Sequence, residues 1–210
     1  MKNNILKIGN WKLKIGDFRR GMSYVELIVV LSIFSVISSV VIFNYGEFQA
    51  KIDIKNLAGD IALKIVEAQK SSLSGKLPSL AQQLQITSVW KPSYGLYFNI
   101  VSDNKSFIYF TDLNNNTLYE GSDCLDECAE KITLNKENTI SSLDVLYQGD
   151  VTPHSFNDLT ITFTRPSGSA VIKSASPFTS AISYIQTTVL SPKGSTAIIK
   201  VYPSGRIQVN

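Results

Sequence analysis

The chain is 210 residues long, has a formal net charge of +3, and contains two cysteines and one histidine. Its positive charge is concentrated in residues 1–21, where Lys2, Lys7, Lys12, Lys14, Arg19 and Arg20 stand against Asp17 alone; residues 22–210 hold 14 basic and 16 acidic residues, near −2. The sequence pI of about 8.7 therefore describes the N-terminal segment and is no argument for a body that binds nucleic acid.

The basic segment ends at Arg19-Arg20-Gly21, and Met22-Ser23-Tyr24-Val25-Glu26 leads into an uncharged run from Leu27 to Phe43. Crossing a bilayer takes about 17–25 residues, so Leu27 to Phe43 is the minimum and Met22 to Tyr45 is comfortable. Positive charge ahead of the span predicts a single pass of the inner (cytoplasmic) membrane, with residues 1–21 cytoplasmic and the C-terminal body outside. Glu26 is out of place in such a segment: a charge at a helix centre costs about 2.5–3.5 kcal/mol on insertion scales, and less near the interface. A secretory signal would place small residues at a cleavage site after the apolar run, but Asn44-Tyr45-Gly46-Glu47-Phe48 follows. An uncleaved anchor fits the length and requires neither Gly21 nor Glu26.

A helical rhythm continues beyond the span. Phe48, Ile52, Leu57, Ile61, Ile65, Ala68 and Ser72 fall three to five apart, close to one face of an amphipathic helix. Asp60 precedes Lys64 by four, an ion-pair spacing. The pattern predicts one helix from about Met22 to about Ser72, stopped by Gly75 and Lys76-Leu77-Pro78. Its first part (22–45) is apolar all round; its second (46–75) has one stripe to bury, with Gly46 at the junction.

The remaining 76–210 reads as a β-rich globular head with room for one core. Tyr94 to Val101 and Ser106 to Thr111 are aromatic and β-branched, joined by the turn-like Ser102-Asp103-Asn104-Lys105. Leu159 to Thr164 alternates, with Leu159, Ile161 and Phe163 on one face. Thr187 to Leu190, Ala197 to Val201 and Ile207 to Val209 follow, punctuated by Pro192-Lys193-Gly194-Ser195 and Pro203-Ser204-Gly205. The expected class is α+β: a long N-terminal helix packed on an antiparallel sheet or sandwich.

The glycine, the apolar run and the glutamate five residues after the glycine resemble the class III leader of type IV pilins and type II secretion pseudopilins. Three head segments are similar to the GspH/FimT group of minor pseudopilins and pilins. These are Phe163-Thr164-Arg165-Pro166-Ser167-Gly168, the stretch from Phe110 to Asn116 that begins Phe110-Thr111-Asp112-Leu113-Asn114, and the closing stretch from Ile198 to Ile207 that ends Tyr202-Pro203-Ser204-Gly205-Arg206-Ile207. The resemblance implies a pilin-like fold. It also implies cleavage of residues 1–21 after Gly21 by a prepilin peptidase, and methylation of Met22. Glu26 would pair with the amino terminus of a neighbouring subunit. The implied partners are other pilins or pseudopilins through the N-terminal helix, the peptidase and a membrane assembly platform. A structural turn is the plain reading of Arg165, Pro166, Gly168, Gly205 and Arg206. Some members of the FimT branch bind DNA through a G-R-x-R segment; here Gly205-Arg206-Ile207-Gln208 lacks the second arginine, so nucleic acid is not an expected partner.

Cys124 and Cys128 are separated by three intervening residues, in a head expected outside the cytoplasm, where disulfides persist; a bridge is favoured, with two free thiols as the alternative. Asp112, Asn114, Asn116 and Glu120 have a spacing similar to a calcium loop, but no tight-turn glycine or carboxylate pair accompanies them, and an Asn-rich turn is the preferred reading. His154 has no identifiable nucleophile partner, and there is no phosphate-binding glycine loop. Neither an enzymatic activity nor a cofactor is expected. The expected function is a structural minor pseudopilin or minor pilin that initiates or caps a secretion pseudopilus or pilus, in the envelope or at the cell surface. The alternative is a tip module that recognises DNA or a secreted substrate.

Processing provides the first test. In a host with an active prepilin peptidase, intact mass of the membrane-extracted protein should correspond to a chain starting at Met22 and one methyl heavier, and Gly21→Val should leave the full-length chain. An N-terminus at Met1 in the parent would refute cleavage.

Overall fold

The computed structural model describes residues 21, 23–86, 89–121, 124 and 126–210; residues 1–20 of the expected leader 1–21 and the expected methylation site Met22 lie outside the described residues. The chain divides into two compact units, Met1–Asn44 and Tyr45–Asn210. One element, helix α1 (Tyr24–Ser74), belongs to both.

In the first unit, α1 leaves its apolar side chains uncovered. Ile28, Leu31, Phe34, Ile37 and Val41 are all exposed, and none of the most apolar stretch is buried. The helix is long and apolar enough to cross a membrane. No proline falls within it, and it runs unbroken through Gly46.

In the second unit, α1 buries Ala50, Ile54, Ala58, Ile61, Ile65 and Ala68. Their spacings of four and three are those of a single helical face. This corrects the expected stripe: Phe48 and Ile52 are exposed and Leu57 is half-buried, while Ala50, Ile54 and Ala58 take the inner positions. Alanine admits a close approach that Phe48 or Ile52 would prevent, and the isoleucines fill the space between. Full burial of an aliphatic side chain of that size stabilises by roughly 1.5–3 kcal/mol. Lys64 also departs from expectation, pairing with Glu67 at 3.2 Å and Glu130 at 2.9 Å rather than with Asp60. The helix ends in a Schellman motif: the Lys76 amide donates to the Ser71 carbonyl, the Gly75 amide to that of Ser72, and Gly75 takes φ +70°.

A short helix, α2 (Leu80–Gln83), precedes ten strands: β1 (Ser93–Asn99), β2 (Asp103–Thr111), β3 (Cys128–Thr133), β4 (Thr139–Tyr147), β5 (His154–Phe156), β6 (Asp158–Thr164), β7 (Ala170–Lys173), β8 (Ile182–Leu190), β9 (Thr196–Val201) and β10 (Ile207–Val209). They form two antiparallel sheets of five, ordered β3-β2-β1-β6-β7 and β10-β9-β8-β4-β5. The α+β expectation holds at this level. Asp103 to Lys105 lie in β2 rather than in a turn, because Asn99 pairs with Asp103 and its side chain accepts from the amides of Val101 and Ser102, closing a tighter loop. His154 is likewise in a strand, hydrogen-bonded at 2.9 Å to Asp150.

One core joins the helix to both sheets, with Tyr94, Leu96, Phe98, Leu159, Ile161 and Phe163 from the first and Ile140, Leu143, Ile185, Val189, Ile199 and Val201 from the second. The alternation in β6 does not leave its other face wet. Thr160 and Thr162 are buried too, as is Phe110, so the outer face of the first sheet has a cover of its own.

Candidate functional site

Two of the family-like turns meet on the helix. Gln69, on α1, donates its amide at 2.7 Å to the Gly168 carbonyl and at 3.4 Å to that of Gly205. Gly205 has φ +84°, and a Cβ there would collide with the Gly168 carbonyl oxygen and come 2.6 Å from Gln69 Nε2. The Ala170 amide donates to the Pro203 carbonyl, fastening one turn to the other. Arg165 carries its guanidinium to the helix end, where a Cβ on Gly75 would lie 2.9 Å from its Nη1. The Arg165–Pro166 bond is cis. Neighbouring hydroxyls extend the seam: Ser72 donates to the Pro92 carbonyl at 3.0 Å, Tyr94 to that of Lys76 at 2.7 Å, and Tyr109 to Ser71 at 3.2 Å. This constellation is a joint between helix and head.

Arg206 stands apart from the joint. Its guanidinium stacks 3.8 Å from the Tyr202 ring centroid, Tyr202 lies 5.6 Å from Tyr184, and Lys200 sits 4.4 Å over Tyr184. A ladder of two cations and two aromatic rings therefore runs across β8, β9 and the turn after β9. Sequence reading missed it because Tyr184 and Tyr202 are 18 residues apart; the aromatic at alternate positions facing a lysine is the signal that was available.

The Asn-rich segment folds as the outer cover. Asp112 is buried; its Oδ1 accepts from the Asn116 amide and its Oδ2 from the Thr117 amide and the Ser93 hydroxyl. Glu127, also buried, accepts from the amides of Leu113 and Glu120. Asn114 and Asn116 turn their amide nitrogens, not their oxygens, toward Glu120, at 2.9 and 2.6 Å. Their oxygens accept from the amides of Asn116 and Leu118. The calcium-like spacing therefore does not converge: its oxygens are used to bend the backbone, and among the described residues no cluster of three His, Cys, Asp or Glu is placed to hold a metal ion. Thr162 and Lys173 pin the segment to the sheet by bonding the carbonyls of Thr117 and Asn116. Tyr119 lies against Tyr97 and Phe110. Gly95 makes room, since a Cβ there would be 2.5 Å from the Ile161 carbonyl and 2.7 Å from the Phe110 ring. Cys124 and Cys128 are bridged, their Cα atoms 4.7 Å apart, and Gln82 ties the bridge to α2 by donating to the Asp126 and Cys128 carbonyls.

Burial raises the pKa of both Asp112 and Glu127 despite the amides they accept from, and the neighbouring carboxylates of Asp112 and Glu120 raise it further at Glu127. Gly21 is exposed, and Glu26 lies exposed in the first turn of α1, where the helix dipole favours a carboxylate.

No family model, no curated protein and no solved structure matches the chain.

Two stability measurements follow from this geometry. Gly205→Ala combines a left-handed backbone with a clash against main chain, so it should cost at least about 2 kcal/mol. For a chain of this size that lowers Tm by roughly 4–8 °C, which calorimetry would detect. For Asp112, the raised folded-state pKa means that the native state binds the proton more tightly. The carboxyl's contribution is therefore fully present below its unfolded value and is lost as pH rises through the folded one. The Tm advantage of the parent over Asp112→Asn should accordingly be greatest below about pH 4, the ordinary carboxyl value, and shrink as the pH rises above it. An advantage that grows with pH would contradict this assignment.

Proposed function

We propose that the chain is a structural subunit of a pilin-like filament, a minor pseudopilin or minor pilin that helps to start or cap the assembly. The observation that carries this reading is α1 itself. One unbroken helix has a first half that exposes apolar side chains on every side and a second half that a β head claims by one stripe and a capped, clamped end. A plain anchor needs only the first property. A subunit extracted from a bilayer into a filament needs both, because its helix must exchange lipid for neighbouring helices while remaining rigidly attached to the head. The leader-like Arg19-Arg20-Gly21 and Glu26 in the first turn support the same reading.

In this mechanism a prepilin peptidase exposes the amino group of Met22, and a membrane platform extracts the helix. The Glu26 carboxylate then neutralises the amino terminus of an adjacent subunit inside an apolar bundle. An unpaired charge there costs about 3–5 kcal/mol, so the pair sets the register between subunits. The head is exported outside the cytoplasm, where the Cys124–Cys128 bridge is stable.

A second reading has one observation in its favour. The Lys200-Tyr184-Tyr202-Arg206 ladder offers stacked rings flanked by cations, the arrangement on which single-stranded nucleic acid binds. With two cations its affinity for DNA would be weak and strongly salt-dependent.

Glu26→Leu separates filament subunit from anchor. An anchor would be unaffected or improved by removal of the carboxylate. A filament subunit should still insert and be cleaved, yet recovery of filament, or secretion or pilus output, should fall at least tenfold at constant membrane level, since a factor of ten corresponds to only about 1.4 kcal/mol. Glu26→Asp should be intermediate. Assembly of Glu26→Leu at the parent level would remove the pairing role.

A further inference from the structure

We propose that the base of the head carries a binding site for the headgroup of an anionic phospholipid, formed by Lys51, Lys55 and Lys193. This inference rests on the reading of α1 as a membrane span.

Lys51 and Lys55 lie one turn apart on α1, and Lys193 faces them from the β8–β9 loop, across a cavity of about 690 Å³. Like charges at that helical spacing repel. No carboxylate lies within salt-bridge distance of any of the three among the described residues, and Glu47 is the one acid lining the cavity. By contrast, Lys136 at the same end of the head is paired, 2.6 Å from Asp53. The site thus holds a surplus of positive charge with no protein anion assigned to it.

Its position along the chain identifies the anion. At about 1.5 Å per residue, Lys51 and Lys55 are roughly 9 and 15 Å of helix beyond Tyr45, the end of the apolar run, and a headgroup layer is about 5–8 Å deep; long stems that tilt toward the helix N-terminus bring the Lys51 ammonium back into that layer and the Lys55 ammonium toward its outer edge. Exposed Tyr45 and Phe48 occupy the place of an interfacial aromatic belt, and Ile52 continues the apolar edge. Aromatic and aliphatic groups beside lysines match a phosphate attached to acyl chains, and match neither a soluble phosphate nor an acidic peptide so well. Lys193 is held ready, since its Nζ donates at 3.1 Å to the Gly46 carbonyl and has two further protons to offer. Cations on this side of the span also run against the orientation bias set by residues 1–21, so their presence calls for a local reason. Each lysine adds to the attraction of an anionic surface, and salt weakens it.

The test uses the full chain in nanodiscs containing phosphatidylglycerol and phosphatidylcholine in equal amounts. After detergent extraction, native mass spectrometry counts the lipids retained by the parent, by Lys51→Gln/Lys55→Gln/Lys193→Gln, and by the control Lys105→Gln on β2. The parent and control should retain phosphatidylglycerol over phosphatidylcholine by on the order of tenfold, and the triple variant should fall to near parity. No preference in the parent, or a preference that survives in the triple variant, overturns the site while leaving the span intact. If the parent does not enter the disc at all, the membrane reading fails and the site falls with it.

Discussion

Gln69 is the residue through which the head holds its helix. Its single amide group reaches two carbonyls that belong to turns 37 residues apart, and it can do so only because Gly205 brings no side chain to that point. Both sheets are coupled there, since the turn holding Gly168 connects β6 to β7 and the turn holding Gly205 connects β9 to β10. The buried stripe from Ala50 to Ala68 supplies the apolar contact area, but a stripe alone leaves a helix free to slide by a turn. The hydrogen bonds at Gln69, Ser71 and Ser72, and the Schellman stop at Gly75, choose one position along the axis. In a protein whose proposed work is to be pulled by its helix, that axial restraint is what transmits force to the head.

A second constraint is the cover on the outer face of the first sheet. Strands β2, β1 and β6 would otherwise present Phe110, Gly95 and Thr162, in that order, to water. The segment from Asp112 to Gly121 closes over them, and Asp112 and Glu127 satisfy its backbone amides. Carboxylates are well suited to this task, because each can accept several amides at once. Their desolvation is the cost, seen in raised pKa values, and the disulfide and Gln82 hold the chain beyond the segment in place.

The long helix was legible because an uncharged run followed by a charged, periodic one has few other solutions, and its stop at Gly75 was legible from the glycine and proline nearby. The phase of its buried face was not. Hydropathy favoured Phe48 and Ile52 over Ala50 and Ala58, whereas close packing against a sheet favours the smaller residue. Strands β1, β2, β6, β8, β9 and β10 announced themselves through aromatic and β-branched residues. Strand β3 did not, because it is an edge whose Ala129, Glu130 and Lys131 face water, and β4 hid behind Ser141, Ser142 and Asp144. The family-like turns were readable as turns, but their meeting at Gln69 spans 99 and 136 residues of sequence, and no local pattern encodes it. The Asn-rich turn was legible from Asn114 to Asn116, but the calcium-like spacing specifies only which oxygens are near in sequence and not which amides will reach them first.

The central claim is that the exposed half of α1 is covered by other subunits, with Glu26 opposite a neighbour's amino terminus. Zero-length carbodiimide cross-linking of assembled material, followed by mass spectrometry of the peptides, tests it most directly. The account predicts an amide joining the Glu26 carboxylate to the Met22 amino group of a different subunit, with mixed isotopic labelling proving that the link is between chains. Efficient coupling of Glu26 to an added soluble amine in the assembled material, with no link to an amino terminus, would show the carboxylate to be solvent-exposed and unpaired, and would contradict the account.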